Sequence, residues 1–471
     1  MNDPFHLNRR RWLQTAGCGF GGLALSALAP QLGLAATNPL APKRPHFPAR
    51  AKRVIFLYMH GGASHIDTFD HKPELERRHG ESLPDSINTG RNKFQRKLGS
   101  VMKSPWGFQP SGQSGLPVSD LFPNVAACVD DLCVIRSMYS NNNAHVPATL
   151  ELHTGTQSFM RPSIGSWVSY GLGTENQSLP GFITICPPLS YGGERNFGSA
   201  FLPAAHHGTK IGTNRIPVKD AKFENTDAGQ ESAGQRTLLD FIQAGNREQL
   251  AGTGADQNLE ARIASFELAF RMQMAGPEAM DLSGESAATR KLYGIDDPVT
   301  ENYGRELLLA RRFIERGVRF VHCAHTGGRG GRWDQHSGLK AGHEKNSVAC
   351  DKPIAGLLRD LKHRGLLKDT LVVWSTEFGR TPEVQNRNGR GHHAQGFTFW
   401  LAGGGVKGGS THGATDDFGY HAISKPVSLH DLHATILHLL GLDHERLTYR
   451  YSGRDFRLTD VHGRIIREII G

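Results

Sequence analysis

The sequence predicts an α/β fold: a mostly parallel sheet with helices on both faces. Three observations predict it. Short continuous apolar runs such as Val54-Ile55-Phe56-Leu57-Tyr58-Met59 and Leu371-Val372-Val373-Trp374 suit strands buried on both faces. Stretches of helical period separate these runs. Polar clusters follow them, at the carboxyl ends where open α/β sheets bind ligands.

Taken in order, residues 37–50 are Pro-rich and read as a linker. Arg53 leads into the run 54–59, which breaks at His60-Gly61-Gly62. Residues 120–136 read as a helix and then a strand, Leu132-Cys133-Val134-Ile135. The polar segment from Ser137 to Asn143 carries the chain to His145. Residues 205–260 are polar with little periodicity, and read as a surface insertion with some helix. Between Tyr303 and Arg316 the residues Leu307, Leu308, Phe313 and Ile314 recur at helical spacing, with Gly317 as the C-terminal cap. A strand follows at 318–323, a helix at 353–364, a strand at 371–374, a strand at 397–401 and a helix at 429–440. No internal repeat is visible.

Composition narrows the class. With 38% hydrophobic and 21% charged residues the chain is globular, not disordered, coiled-coil or collagenous. The net charge of +9 is mild for 471 residues, and no Lys/Arg run reads as a nucleic-acid footprint. Residues 8–14, Asn-Arg-Arg-Arg-Trp-Leu-Gln, precede a short apolar stretch from Ala16 to about Leu28. This is a twin-arginine export pattern, so residues 1–36 are expected to be a signal peptide and 37–471 the working domain. The export machinery is the expected partner and the periplasm or exterior the destination. No later apolar run reaches the roughly 18 residues of a membrane span. Five cysteines beyond the signal, an odd number without dense spacing, do not make a disulfide framework. Cys133 and Cys323 sit in apolar runs as small core residues.

The 24 histidines are the compositional outlier and point to a metal site. Four polar clusters follow predicted strands: His60 to Asp70, Asn141 to Gly155, His325 to His336, and Ser375 to Pro382 with Gly389 to His393. In a parallel fold these meet at one edge. Imidazole with carboxylate favours Zn, Mn or Fe over Mg or Ca. Two such ions would activate a nucleophile and clamp a tetrahedral phosphate or sulfate, with Arg380 and Arg390 steadying the anion. Any one of these residues alone reads equally well as a turn or capping residue. His430 and His433 border an apolar helix face and read as structural.

The clusters carry a resemblance. His60-Gly61-Gly62-Ala63-Ser64-His65-Ile66-Asp67-Thr68-Phe69-Asp70 with Lys72-Pro73, Arg161-Pro162-Ser163-Ile164-Gly165 and Trp333-Asp334-Gln335-His336 form one part of it. Glu377-Phe378-Gly379-Arg380-Thr381-Pro382, Gly403 to Gly409, Asp431-Leu432-His433-Ala434-Thr435-Ile436 and Gly453-Arg454-Asp455 complete it. The sequence resembles the bacterial domain-of-unknown-function 1501 family, whose exported members are distantly similar to sulfatases and alkaline phosphatases. The resemblance implies an alkaline-phosphatase-like three-layer α/β/α sandwich with a bimetal site. On it, His60 takes the place of the metal-binding Asp after the first strand, with Asp67 nearby. His145 falls where the superfamily has its Ser, Thr or Cys nucleophile, and Thr149 follows four residues later. Glu377 keeps one ligand of an Asp-His pair. His392 or His393 matches a final histidine.

The expected function is metal-dependent hydrolysis of phosphate or sulfate esters, sulfated polysaccharide included. His60, Asp67, Asp334, His336, Glu377 and His392 or His393 are the expected metal ligands, with His145 or a metal-activated water attacking and Arg380 holding the anion. The alternative is a non-catalytic metal- or glycan-binding protein on the same fold, which the missing hydroxyl or thiol nucleophile favours.

Overall fold

Strand β1 (Arg53–Met59) occupies the middle of the central sheet, because its apolar run offers both faces for burial. The computed structural model describes residues 38–87, 99–224, 232–253, 257–326 and 331–471. The expected signal peptide, 1–36, lies outside the described residues.

In chain order the strands are β1, β2 (Leu132–Tyr139), β3 (Phe182–Ile185), β4 (Thr209–Ile211), β5 (Phe320–His325), β6 (Thr370–Ser375), β7 (Gly379–Gln385), β8 (Gly389–His393), β9 (Phe397–Ala402), β10 (Ser410–His412) and β11 (Val427–Ser428). The principal helices are α1 (His145–Thr154), α2 (Ile164–Leu172), α3 (Ser232–Thr253), α4 (Gln257–Met280), α5 (Glu301–Glu315), α6 (Leu339–His363) and α7 (Leu429–Leu439).

The nine-stranded sheet has the order β10-β2-β9-β6-β1-β5-β3-β4, with β11 also on β2. Strand β1 pairs in parallel with β5 on one side and β6 on the other. Among the described strands of this sheet, β9 alone runs against its neighbours. The sheet is therefore mostly parallel, as expected. Strands β7 and β8 form a separate antiparallel hairpin beyond the end of β6.

Side chains of β1 alternate between two cores. Ile55, Leu57 and Met59 pack with Leu307, Leu308 and Phe313 of α5 and with Ile354 and Leu357 of α6. Val54, Phe56 and Tyr58 pack with Trp167 and Val168 of α2 and Leu432 and Ile436 of α7. Helix–sheet–helix is thus the layering, each fully buried aliphatic contributing about 1.5–3 kcal/mol.

Local signals match the observed ends. Helix α5 stops where Gly317 takes φ +84°, with Gly317 N donating to Ile314 O and Val318 N to Phe313 O at 3.1 Å each. Helix α7 starts at Ser428, whose hydroxyl accepts from Asp431 N while Asp431 accepts from Ser428 N. The stretch 205–260 holds more than surface: Thr209–Ile211 forms the sheet edge, and helix α3 begins at Ser232. Three residues are too short a run to show strand alternation. All five cysteines of the described residues are buried and unpaired, Cys133 in β2 and Cys323 in β5. No described helix is long and apolar enough to cross a membrane.

Candidate metal centre

The site begins with the turn that ends β1. Gly61 and Gly62 have φ of +118° and +82°. A side chain on Gly61 would stand 2.8 Å from the backbone of Gly331 and Trp333. Only glycine lets these segments meet, and Trp333 N donates to His60 O at 3.0 Å across the contact. Asp334 is the next residue. Glu377, just past β6, is fully buried beneath the same turn, where Gly61 N donates to its Oε1 and Oε2 at 3.0 and 3.1 Å. His145 opens α1, and His392 lies on β8.

These segments bring imidazoles onto one carboxylate. His392 Nε2 and His336 Nε2 each lie 3.1 Å from Asp334 Oδ1, and His145 Nε2 lies 3.1 Å from Asp334 Oδ2. His145, Asp334 and His392 each present a ligand atom, all within 4.8 Å of one another. The far nitrogen of each ring meets an oxygen: His145 Nδ1 at Glu377 Oε1 (2.7 Å), His392 Nδ1 at Asn143 O (2.8 Å) and His336 Nδ1 at Gln385 Oε1 (2.6 Å).

That pattern decides where protons sit. A carbonyl oxygen only accepts, so His392 Nδ1 carries the hydrogen. Burial pulls the His392 pKa down to about 4 against the opposing pull of Asp334, so the ring is neutral and Nε2 is a bare lone pair. A lone pair aimed at a carboxylate oxygen 3.1 Å away calls for a cation between them. The donor set therefore fits a metal ion: outer oxygens fix each tautomer and turn Nε2 inward.

His145 sits between two acids. Burial opposes its charge, but Asp334 and Glu377 outweigh burial and raise its pKa. Burial likewise pushes Glu377 up, yet the hydrogen bond and charge of His145 hold it at about 2. Asp334 is held well below the usual carboxylate range: His145, His336, His392 and Arg380 prevail over burial. With Nδ1 on Glu377 and Nε2 on Asp334, His145 keeps no nitrogen free to attack a substrate, and an ion taken up between Nε2 and Asp334 would displace the proton held there. The geometry gives it a ligand's position, not the nucleophile's role expected from the sequence. Thr149 is no substitute, being fully buried with its hydroxyl 3.0 Å from Tyr58 Oη.

Other expected site residues go elsewhere. Asp67 is fully buried in an ion pair with Arg390, 2.7 Å from Nε, and accepts from Ser64 Oγ at 2.5 Å. It is not part of the group formed by His145, Asp334 and His392. The buried guanidinium of Arg390 is taken up by Asp67 and by the carbonyls of Thr381, Pro382 and Met102. His393 Nε2 donates to the backbone carbonyl of Tyr420, not to the carboxylate. Since neighbours on a strand face opposite ways, His392 and His393 cannot both point inward. Arg380 is fully buried, and its guanidinium is taken by the carbonyls of Gly61, Gly62, Trp333 and Arg390 and by Asp334 Oδ1 at 2.8 Å. It locks the turn to the carboxylate and does not face an incoming anion. His60 stands apart from the three-residue group, its ring against Tyr191, with Nε2 3.5 Å from Ser190 Oγ. The described residues hold one group with metal-binding geometry, where two ions were expected.

No site role was read for Gln385, Tyr58 or Tyr191, and Asn143 stood only within the polar cluster from Asn141. Tyr58 donates to Glu377 Oε2 at 3.1 Å. Tyr191 stacks on His145 at 4.2 Å and 5°. The polar run 141–143 before His145 was the one available signal.

Residues 51–470 match the model of the family described as "Protein of unknown function (DUF1501)". No curated protein matches the chain. Among solved structures the chain is similar to the phosphonate monoester hydrolase SpPMH from Silicibacter pomeroyi, at 12% identity and TM-score 0.38, over 89% of this chain and 76% of that one. It is similar also to the phosphonate monoester hydrolase of Agrobacterium radiobacter, at 11% and 0.37, over 85% and 74%. A third is the alkaline phosphatase from the Antarctic bacterium TAB5, at 10% and 0.32, over 75% and 92%.

Proposed function

The chain belongs to the DUF1501 family, and for it we propose metal-dependent hydrolysis of phosphate or sulfate esters. The observation that carries this reading is the convergence of imidazole Nε2 atoms on Asp334, each ring held from behind by an oxygen. His145, Asp334 and His392 would hold a divalent ion, with His336 beside them. Their nitrogen and oxygen donors suit Zn, Mn or Fe. Such an ion supplies Lewis acidity to an ester oxygen and lowers the pKa of water.

The chain's own residues do the rest. Glu377 accepts the hydrogen bond from His145 Nδ1–H and keeps Nε2 aimed at the site. Arg380 holds Asp334 to the turn. The ring of Phe378 lies 4.9 Å from that of His145 and 4.5 Å from that of His392 and walls the site on one side. His336, 34% exposed, is the most open of the imidazoles and is placed to exchange a proton with a leaving group. Export through the twin-arginine route belongs to the same proposal.

Metal analysis of the full purified chain tests it, together with turnover of 4-nitrophenyl phosphate and sulfate. We expect bound metal, chelator-sensitive turnover of at least one ester, and loss of both in Asp334→Asn. Full turnover without metal, or unchanged metal and turnover in Asp334→Asn, would overturn it. The buried Thr149 favours a second reading, a metal-binding protein without turnover; bound metal with no ester cleaved would select it.

A further inference from the structure

Two sequence motifs that the metal centre does not use meet in one place. Arg161, of Arg161-Pro162-Ser163-Ile164-Gly165, lies over the ring of Phe456 at 4.3 Å. Arg454, of Gly453-Arg454-Asp455, lies over the same ring at 4.9 Å. They line a groove of about 660 Å³.

The groove is built from a hairpin, Tyr449–Tyr451 and Arg454–Phe456, paired Tyr449 to Phe456 and Tyr451 to Arg454. Strand alternation puts Tyr449, Tyr451, Arg454 and Phe456 on one face and the Arg450–Asp455 ion pair on the other. Phe201 backs the first face: Tyr451 stacks on it at 5.1 Å and 16°. One face of Tyr451 is thereby covered, yet the residue is 49% exposed, so its other face is open. An aromatic plate of this kind offers its π face to the C–H face of a pyranose.

Charge selects further. Arg161 makes no hydrogen bond or ion pair among the described residues, and its stacking on Phe456 leaves its in-plane N–H fork available. Arg457 also lines the groove. Opposing them are Asp460, paired with Arg454, and Glu151, whose pKa burial raises. A flat aromatic beside an unpaired guanidinium matches a sugar bearing an anionic substituent.

A short segment links the groove to the metal centre. Asn141 lines it, and two residues on, a span of at most about 7 Å, Asn143 holds His392. Gln157, another lining residue, accepts from Asn142 Nδ2 at 3.1 Å.

We propose that this groove binds an anionic oligosaccharide, seating a sugar on Tyr451 and its sulfate or carboxylate at Arg161 and Arg454, so that the chain extends toward Asp334. This deepens the proposed hydrolase and, for the direction of the chain, rests on it.

Calorimetric titration of the full chain as purified tests the groove with three probes of equal length: dextran sulfate, oligogalacturonate and uncharged dextran oligosaccharides. We expect an anionic probe to bind at least about ten-fold more tightly than dextran. Arg161→Gln and Arg454→Gln should each weaken that binding about ten-fold, the loss of one charged contact. Both should keep the wild-type melting temperature. Lys425→Gln, an exposed cation outside the groove, should change nothing. Binding of dextran sulfate alone identifies a sulfated sugar; equal binding of oligogalacturonate identifies acidic sugars generally. No binding of either anionic probe, or wild-type affinity in both arginine variants, overturns the groove proposal. Absence of aryl ester turnover in the wild type overturns the hydrolase reading separately and leaves the binding result standing.

Discussion

Gly61 donates its amide to both carboxylate oxygens of Glu377, at 3.0 and 3.1 Å. The turn after the first strand is thus fastened to the buried acid that also holds His145. Backbone geometry at one glycine and the orientation of one imidazole are parts of a single arrangement.

Glu377→Gln keeps the shape of that acid but not its charge. The amide leaves His145 less well oriented and less basic at Nε2. Metal affinity should fall about 10–100-fold, the usual effect of losing an oxygen partner behind a ligand. Competitive titration with a chelating dye measures it. Unchanged affinity would remove Glu377 from the support of the site.

Gly61→Ala meets two obstacles. Its φ of +118° is one that side chains rarely adopt, and the new Cβ would lie 2.8 Å from Gly331 and Trp333. Strain alone should cost about 1–3 kcal/mol. The backbone shift should also weaken metal binding, because Gly61 N moves off Glu377. Urea denaturation and metal titration on the same sample read both. A stability loss under about 0.5 kcal/mol, within the range of neutral surface changes, would contradict the packing described.

Asp67→Ala separates a structural acid from a ligand. Asp67 and Arg390 are both fully buried, and removing one partner leaves the other charge uncompensated. The expected loss is about 3–5 kcal/mol. Metal content of the folded fraction should stay at the wild-type value. Loss of metal with stability intact would make Asp67 a ligand after all.

A pH dependence follows from His153 and His322, whose Nε2 atoms lie 3.1 Å apart in the core. His153 Nδ1 donates to Thr149 O at 2.8 Å, so its Nε2 accepts from His322, whose Nδ1 accepts from the Thr184 hydroxyl at 3.0 Å. Both rings are neutral: burial lowers His153 to about 4 and holds His322 well below the ordinary imidazole range. The unfolded chain binds protons below about 6.5, before the folded one does. Stability should therefore fall as pH drops from about 6.5 to about 4, and should not change on this account above that range. Urea midpoints across pH 4–8 test it. In His322→Phe, which removes one ring and frees the other Nε2, the slope should be altered; an identical slope would exclude the pair as its source.

Much of this was legible from residue order. A wholly apolar run followed at once by His-Gly-Gly announces a central strand and a site at its end, and β1 is both. That Asp334, His336, Glu377 and His392 come close together was readable for the same reason: each polar cluster follows a predicted strand or precedes one. Asp67 misled because its partner Arg390 is 323 residues away, and nothing in its neighbourhood shows the pairing. Arg380 misled because its partners are mostly main-chain carbonyls, which side-chain types do not reveal. Adjacent His392 and His393 were equivalent until strand alternation separated them. Tyr191 and Gln385 come from segments without periodicity, so only the folded chain brings them in.

The pairing of β1 has a consequence for how the molecule is made. Its neighbours are Phe320–His325 and Thr370–Ser375, so β1 leaves the ribosome without either of these sheet partners until residues 60–319 have followed. At ordinary rates of synthesis that is a wait of roughly tens of seconds. This apolar segment spends that time without those partners, and the sheet is complete only after Val427–Ser428 has been made. Stepwise folding from the amino end is barred, and a truncated product lacking the last third of the chain keeps a sticky, orphaned centre.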